Sequence, residues 1–166
     1  MRALVVYESI WGNTEAIARA AATGVGGDVE VVSAADAPPA LADDLDLLLV
    51  GGPTHAFSMT SAKTRESARQ QGATTIPARG IREWIDQLAT PSRAVRVATF
   101  DTRTVSPRLP GSAAKKAMKR LVARGLEPVA KPETFGVHGY GGPLADGEEA
   151  RATEWGATLA TAVDKR

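Results

Sequence analysis

The 166-residue chain contains no cysteine. That excludes disulfides, thiol catalysis, Cys-ligated iron–sulfur clusters and Cys-based zinc sites. Histidine is almost as scarce. His55 and His138 lie far apart in sequence, so a His-rich metal site is not expected. No apolar run reaches the roughly 18 residues that a membrane-spanning helix needs. Met1-Arg2-Ala3 leads directly into a short apolar segment and not into a secretory signal. The expectation is a soluble, cytoplasmic protein with no membrane span, whose redox chemistry, if it has any, comes from a bound organic cofactor.

The length suits one domain, residues 1–166, with a substantial core. Formal net charge is only +1, but it is unevenly placed. Residues 1–60 carry a net −6, residues 61–131 a net +10, and residues 132–166 a net −3. The middle of the chain is a basic block.

Apolar runs and periodicity divide the sequence into alternating strands and helices. Arg2–Tyr7 is almost continuously apolar and reads as a buried strand. Thr14–Thr23 has Ala and Ile at helical spacing and stops at Gly24. Asp28–Ser33, Leu45–Val50 and Ala94–Phe100 are predicted strands. Ser112–Arg124 is a predicted helix with Ser112 as a cap, Pro128–Val137 a fifth strand whose Pro132 suggests an edge position or an irregular start, and Gly147–Val163 a closing helix. Residues 54–80 are the least regular, with a short helix at Ala62–Gln70, and a further helix lies near Gly80–Leu88. Such alternation implies an α/β fold, a five-stranded parallel sheet with helices on both faces.

The richest segment runs from Val5 to Thr14. An apolar strand enters a short polar turn, and the turn enters an amphipathic helix. Ser9, Gly12, Asn13 and Thr14 supply hydroxyl and amide groups, and Ile10 and Trp11 complete the turn. A helix N-terminus with free N–H groups and a positive dipole end attracts anions. No Lys is present, so this is not a Walker-type loop, and a single Gly excludes the dinucleotide fingerprint. A neutral turn of this kind suits one phosphate held by hydrogen bonds. The same residues also suit a plain capped helix with Asn13 or Thr14 as the cap.

The pattern Tyr7-x-Ser9-x-x-Gly12-x-Thr14 at this position resembles the FMN-phosphate loop of the flavodoxins. The resemblance implies a doubly wound, three-layer sandwich with strand order 2-1-3-4-5 and FMN as cofactor. In such a sheet the ligand lies beyond the C-terminal strand ends, between strands one and three. The loop Gly51–Thr60, containing Pro53, Thr54, His55, Ala56 and Phe57, resembles the loop that borders the isoalloxazine in FMN-dependent quinone reductases. The third loop on that rim is Asp101–Gly111, and Phe100, Asp101, Thr102 and Arg103 are expected to border the ring's other side. It departs from the flavodoxin pattern, since no aromatic residue in it is placed to stack on the ring. Phe57, Trp11 and Phe100 are the candidate aromatic contacts, and Tyr140 is a candidate lid. The run Thr54–Met59 has no Gly, so a left-handed turn there would fall on a residue with a Cβ, such as Ala56 or Ser58.

No side chain is required as an acid–base catalyst in this reading. The implied function is electron transfer between a reductase and an acceptor, with an acidic redox protein as a candidate partner for the basic block. One alternative is a flavin-dependent oxidoreductase, similar to the quinone reductases, acting on a small-molecule oxidant. Another is a flavin-free binding module on the same fold. Nucleic acid is not expected as a partner, since aromatic residues do not interleave with the basic ones.

Overall fold

The structure, a computed structural model, describes residues 1–165. Its elements are β1 (Arg2–Tyr7), α1 (Asn13–Val25), β2 (Asp28–Ser33), β3 (Leu47–Pro53), α2 (Ala62–Gln70), α3 (Ile81–Gln87), β4 (Arg96–Thr104), α4 (Ala113–Ala123), β5 (Glu127–Pro128), β6 (Glu133–Val137) and α5 (Glu148–Asp164). All strand pairings are parallel, in the order β2-β1-β3-β4-β5, and β6 also pairs with β4. The order is the expected 2-1-3-4-5, with the last position shared by two short strands. Glu127 opposes Arg96 but Glu133 opposes Phe100, so the edge strand carries two extra residues between its halves. Pro132, which has no N–H to donate, lies in that interruption.

Alternation along each strand sorts the core into two layers. Leu4, Val6, Leu48, Val50 and Val97 pack against Trp84 and Ile85 of α3 and Ala117 and Leu121 of α4. Ala3, Val5, Leu47, Leu49, Ala98 and Phe100 pack against Ile17 and Ala21 of α1 and Ala152 and Leu159 of α5. On this second face the rings of Phe100, Phe135 and Trp155 meet edge to face at 5.9–6.4 Å, and the Arg151 guanidinium lies 4.3 Å from the Phe135 centroid.

Two strands run further than their sequences suggest. β3 continues through Gly51-Gly52-Pro53, and β4 continues from Phe100 through Thr104. The third rim loop therefore begins at Val105 and not at Asp101. Asp101 and Arg103 read as loop because they are polar. They are strand because Asp101 pairs with Gly52 on one side and Thr134 on the other, and Arg103 pairs with Gly136.

Candidate functional site

The C-terminal ends of β1, β3, β4 and β6 open into a cavity of about 520 Å³, within the range of small-molecule and cofactor sites. It is lined by Ile10, Trp11, Asn13 and Thr14 from the first turn, Pro53 to Phe57 from the second loop, Thr102 to Thr104 from β4, and Leu109 and Pro110 from the third loop. Neither Asp nor Glu is among its lining residues.

The turn before α1 is shaped by Gly12. Its φ of 94° caps the helix in the left-handed region, and no side chain accepts from the helix's first turn. A residue with a Cβ is strained there although the surrounding space is open. The Gly12 N–H donates to Ser9 Oγ at 3.1 Å, which leaves the Ser9 hydroxyl proton free to donate outward. The N–H groups of a first helical turn have no intrahelical acceptor. Asn13, at the cavity wall, is approached by the backbone of Gly142, where an added Cβ would lie 2.7 Å from the amide oxygen. Thr14 is buried, with its hydroxyl 2.7 Å from that of Thr102.

The second loop is a tight hairpin. His55 and Ser58 exchange backbone hydrogen bonds of 2.8 and 3.0 Å across Ala56 and Phe57. Ala56 and Phe57 have φ of 46° and 71°. The left-handed turn thus falls on Ala56, as the sequence allows, and on Phe57, with Ser58 closing the pair. Arg82 ties the loop's outgoing limb through Nε to the Thr60 carbonyl at 2.9 Å and Nη2 to the Met59 carbonyl at 2.7 Å. Gly111, with φ of 92°, lies against the Phe57 backbone so closely that an added Cβ would overlap it. Arg103 Nη1 donates to the Gly111 carbonyl at 2.7 Å, joining β4 to the loop's end. Thr54 Oγ1 accepts from the Ala113 N–H at the start of α4 at 2.9 Å. Burial, and then the nearby Arg65 cation, lower the His55 pKa and keep its imidazole neutral.

Of the fifteen residues expected at the site, eleven line this cavity. Ser9 and Gly12 face a neighbouring cleft of about 410 Å³ on the other side of the turn. Phe100 and Asp101 do not reach the cavity. Phe100 is fully buried among the α1 and α5 side chains, since it alternates inward below Thr102. Asp101 points to the opposite face. Its Oδ2 accepts from Ser112 Oγ at 2.5 Å and from the Ala114 N–H at 3.0 Å, and it serves the N-terminus of α4.

No protein-family model matches the chain, and no curated protein matches its sequence. Its structure is similar to a flavodoxin from the domain Archaea, with a TM-score of 0.65 at 21% identity over 99% of each chain. It is also similar to flavodoxin 1 of Bacillus cereus, with a TM-score of 0.69 at 16% identity over 97% of this chain and 98% of that one. Rubredoxin oxygen:oxidoreductase of Desulfovibrio gigas matches 99% of this chain with 36% of its own, at a TM-score of 0.65 and 16% identity. The fold is that of the flavodoxins.

Within this flavodoxin fold, several lining residues were not expected from sequence. Thr64, Ser67, Ala68 and Gln71 face the cavity from α2 and its end. Val137 and Gly139 line it from the end of β6 and the loop beyond, beside Tyr140, the candidate lid. Trp11 packs with Ile10, Ala68 and Ala73, so α2 supports the first turn as well as the cavity.

A buried polar network underlies the first two loops. Glu8 is 1% exposed. It accepts from the Ile81 N–H at 3.0 Å and from the Thr60 hydroxyl. Arg65 Nη1 donates to Thr60 Oγ1 at 2.9 Å and pairs with Glu83. Burial raises the Glu8 pKa above the usual glutamate value, opposed by the hydrogen bonds from Thr60 and Ile81. Gly80 leaves room for this carboxylate, since a Cβ there would overlap it.

Proposed function

We propose that this flavodoxin-fold protein binds FMN and transfers electrons between a reductase and an acceptor. One observation carries the reading: the N-terminus of α1, with no side-chain cap, opens at Asn13 and Thr14 onto a carboxylate-free cavity between the ends of β1 and β3, while Glu15 of its first turn faces the neighbouring cleft. An anion gains at a free helix N-terminus, and nothing in the lining repels it. The residues fit the cofactor. Asn13 and the first-turn N–H groups suit the phosphate at the cavity wall, Ser9 borders the turn from the neighbouring cleft, and Thr14 adds a buried hydroxyl held against Thr102.

FMN, when bound, supplies one- and two-electron chemistry. Thr54 and the hairpin from His55 to Phe57, which line the cavity, would border the ring. Phe57, Trp11 and Tyr140 would offer it aromatic surface. Neutral His55 adds no charge beside it. A second reading, a flavin oxidoreductase acting on a small oxidant, is favoured by one feature: α2 and its end bring Thr64, Ser67 and Gln71 to the wall, hydrogen-bonding groups able to orient a polar molecule.

Titration of the purified protein with FMN and with riboflavin tests the first claim. FMN should bind with one-to-one stoichiometry and more tightly than riboflavin. Equal affinity for the two would remove the phosphate from the account. Parallel turnover with a small quinone and with a protein acceptor separates the two readings.

A further inference from the structure

The mouth of the cavity is ringed with apolar side chains that stand in water. Tyr140 is 69% exposed, Phe57 52%, Leu109 46% and Val105 43%. Elsewhere, among the described residues, only Met1 and Val122 are comparably exposed large apolar side chains. Phe57, Leu109 and Tyr140 face the cavity itself. Val105, between the lining residues Thr104 and Ser106, donates its N–H to the Val137 carbonyl at 2.9 Å and sets its side chain against Gly136. A cluster of exposed apolar groups on one rim is the mark of a binding surface.

The ring is flanked by positive charge. From Thr102 to Lys131 the chain has eight Lys and Arg and a single acid, Glu127, which pairs with Arg96. Arg120 is paired with Asp86, and Arg124 donates to the carbonyls of Leu88 and Asp86. Among the described residues, Arg103, Arg108, Lys115, Lys116 and Lys119 form no ion pair. Lys115 and Lys116 stand near the N-terminus of α4, whose first turn contains no acid. Cations are disfavoured at that positive end of the dipole. The buried Asp101 carboxylate offsets that positive end from inside, but among the described residues neither exposed lysine has an anionic partner of its own.

We propose that this mouth is a docking surface for an acidic protein, which covers Phe57, Leu109 and Tyr140 with its own apolar patch and sets carboxylates against Arg108, Lys115 and Lys116. A small oxidant in the cavity gives no use to lysines on α4. A nucleic acid is disfavoured because the apolar side chains lie on the cavity side and not between the lysines. That the partner exchanges electrons rests on the FMN reading; the docking itself does not.

The test uses the cofactor-free protein first, so that failure of docking is separate from failure of FMN binding. The probes are an acidic two-iron ferredoxin and, as the opposite-charge control, the basic protein cytochrome c. Calorimetric titration should show binding to ferredoxin and none to cytochrome c, with affinity falling between about 20 mM and about 300 mM salt as screening shortens the reach of charge. Arg108→Glu with Lys116→Glu should weaken binding by about tenfold or more. Phe57→Ser with Leu109→Ser should weaken it while leaving the salt dependence unchanged. Circular dichroism of each variant checks that the fold is kept, and NMR shift changes on ferredoxin addition should centre on Phe57, Leu109 and Lys116. Absence of ferredoxin binding at low salt, preference for cytochrome c, or indifference to charge reversal would each overturn the proposal.

Discussion

The hydroxyl oxygens of Thr14 and Thr102 lie 2.7 Å apart, although the residues are 88 positions apart in sequence. This contact joins the start of α1 to the end of β4 across the rim of the sheet, and both groups are buried. Thr14→Val keeps the shape but leaves the Thr102 hydroxyl without its partner, at a cost of about 1–3 kcal/mol. The variant should lose that much stability in urea and should also bind FMN more weakly. Full retention of FMN affinity would place the phosphate elsewhere.

Gly12 tests the turn in a different way. Its φ of 94° is strained for any residue with a Cβ, while no neighbouring atom lies within 4 Å of that position. Gly12→Ala should therefore cost about 1–2 kcal/mol through backbone strain and not through a clash. On the FMN reading the loss should fall on FMN affinity and largely spare riboflavin, because the backbone at Gly12 would meet the phosphate and not the ring. Equal losses for both ligands would contradict this.

Phe100 should behave as a core residue. Phe100→Ala is expected to cost about 3–5 kcal/mol, because its ring packs against Phe135 and Trp155 and fills the space above Gly51. The milder Phe100→Leu should lower thermal stability and leave FMN affinity nearly unchanged. A large loss of FMN affinity in a folded Phe100→Leu variant would return the residue to the site.

Glu8 gives a pH dependence. Burial raises its pKa, so the folded protein holds the proton more tightly than the unfolded chain. That contribution to stability is complete below the unfolded glutamate value and fades as pH rises through the raised folded value. Stability of the wild type relative to Glu8→Gln should accordingly decline across that interval and level off above it. Glu8→Ala, which strands the Ile81 N–H and the Thr60 hydroxyl beside Arg65, should cost about 2–5 kcal/mol. A difference between wild type and Glu8→Gln that does not change with pH would remove Glu8 as a titrating group.

The strand order and the first turn were legible because both are written locally. Leu47 to Val50 is wholly apolar, and the strand–turn–helix around Gly12 lies within ten residues. The helix Ala62–Gln70 was also found at its observed bounds, even in the least regular stretch. What sequence concealed is what depends on distant partners. Asp101 and Thr102 look alike as polar residues after a strand, yet alternation sends one under α4 and the other to the cavity. Phe100 was read as a ring contact because its inward face is fixed only by Phe135 and Trp155. The cavity wall on α2 is built from Thr64, Ser67, Ala68 and Gln71, small or polar residues with no apolar stripe to announce a role. Glu8 and Arg65 meet only because Thr60 and α3 bring them together.

On the reading proposed above, the rim between β1 and β3 holds FMN by its phosphate. It is tested most directly by quenching of flavin fluorescence when cofactor-free protein is titrated with FMN, in the wild type and in Gly12→Ala. The wild type should quench saturably with one-to-one stoichiometry and the variant should bind markedly more weakly, with both proteins folded. FMN fluorescence that stays unchanged with the wild type, or that is quenched equally by both proteins, would contradict it.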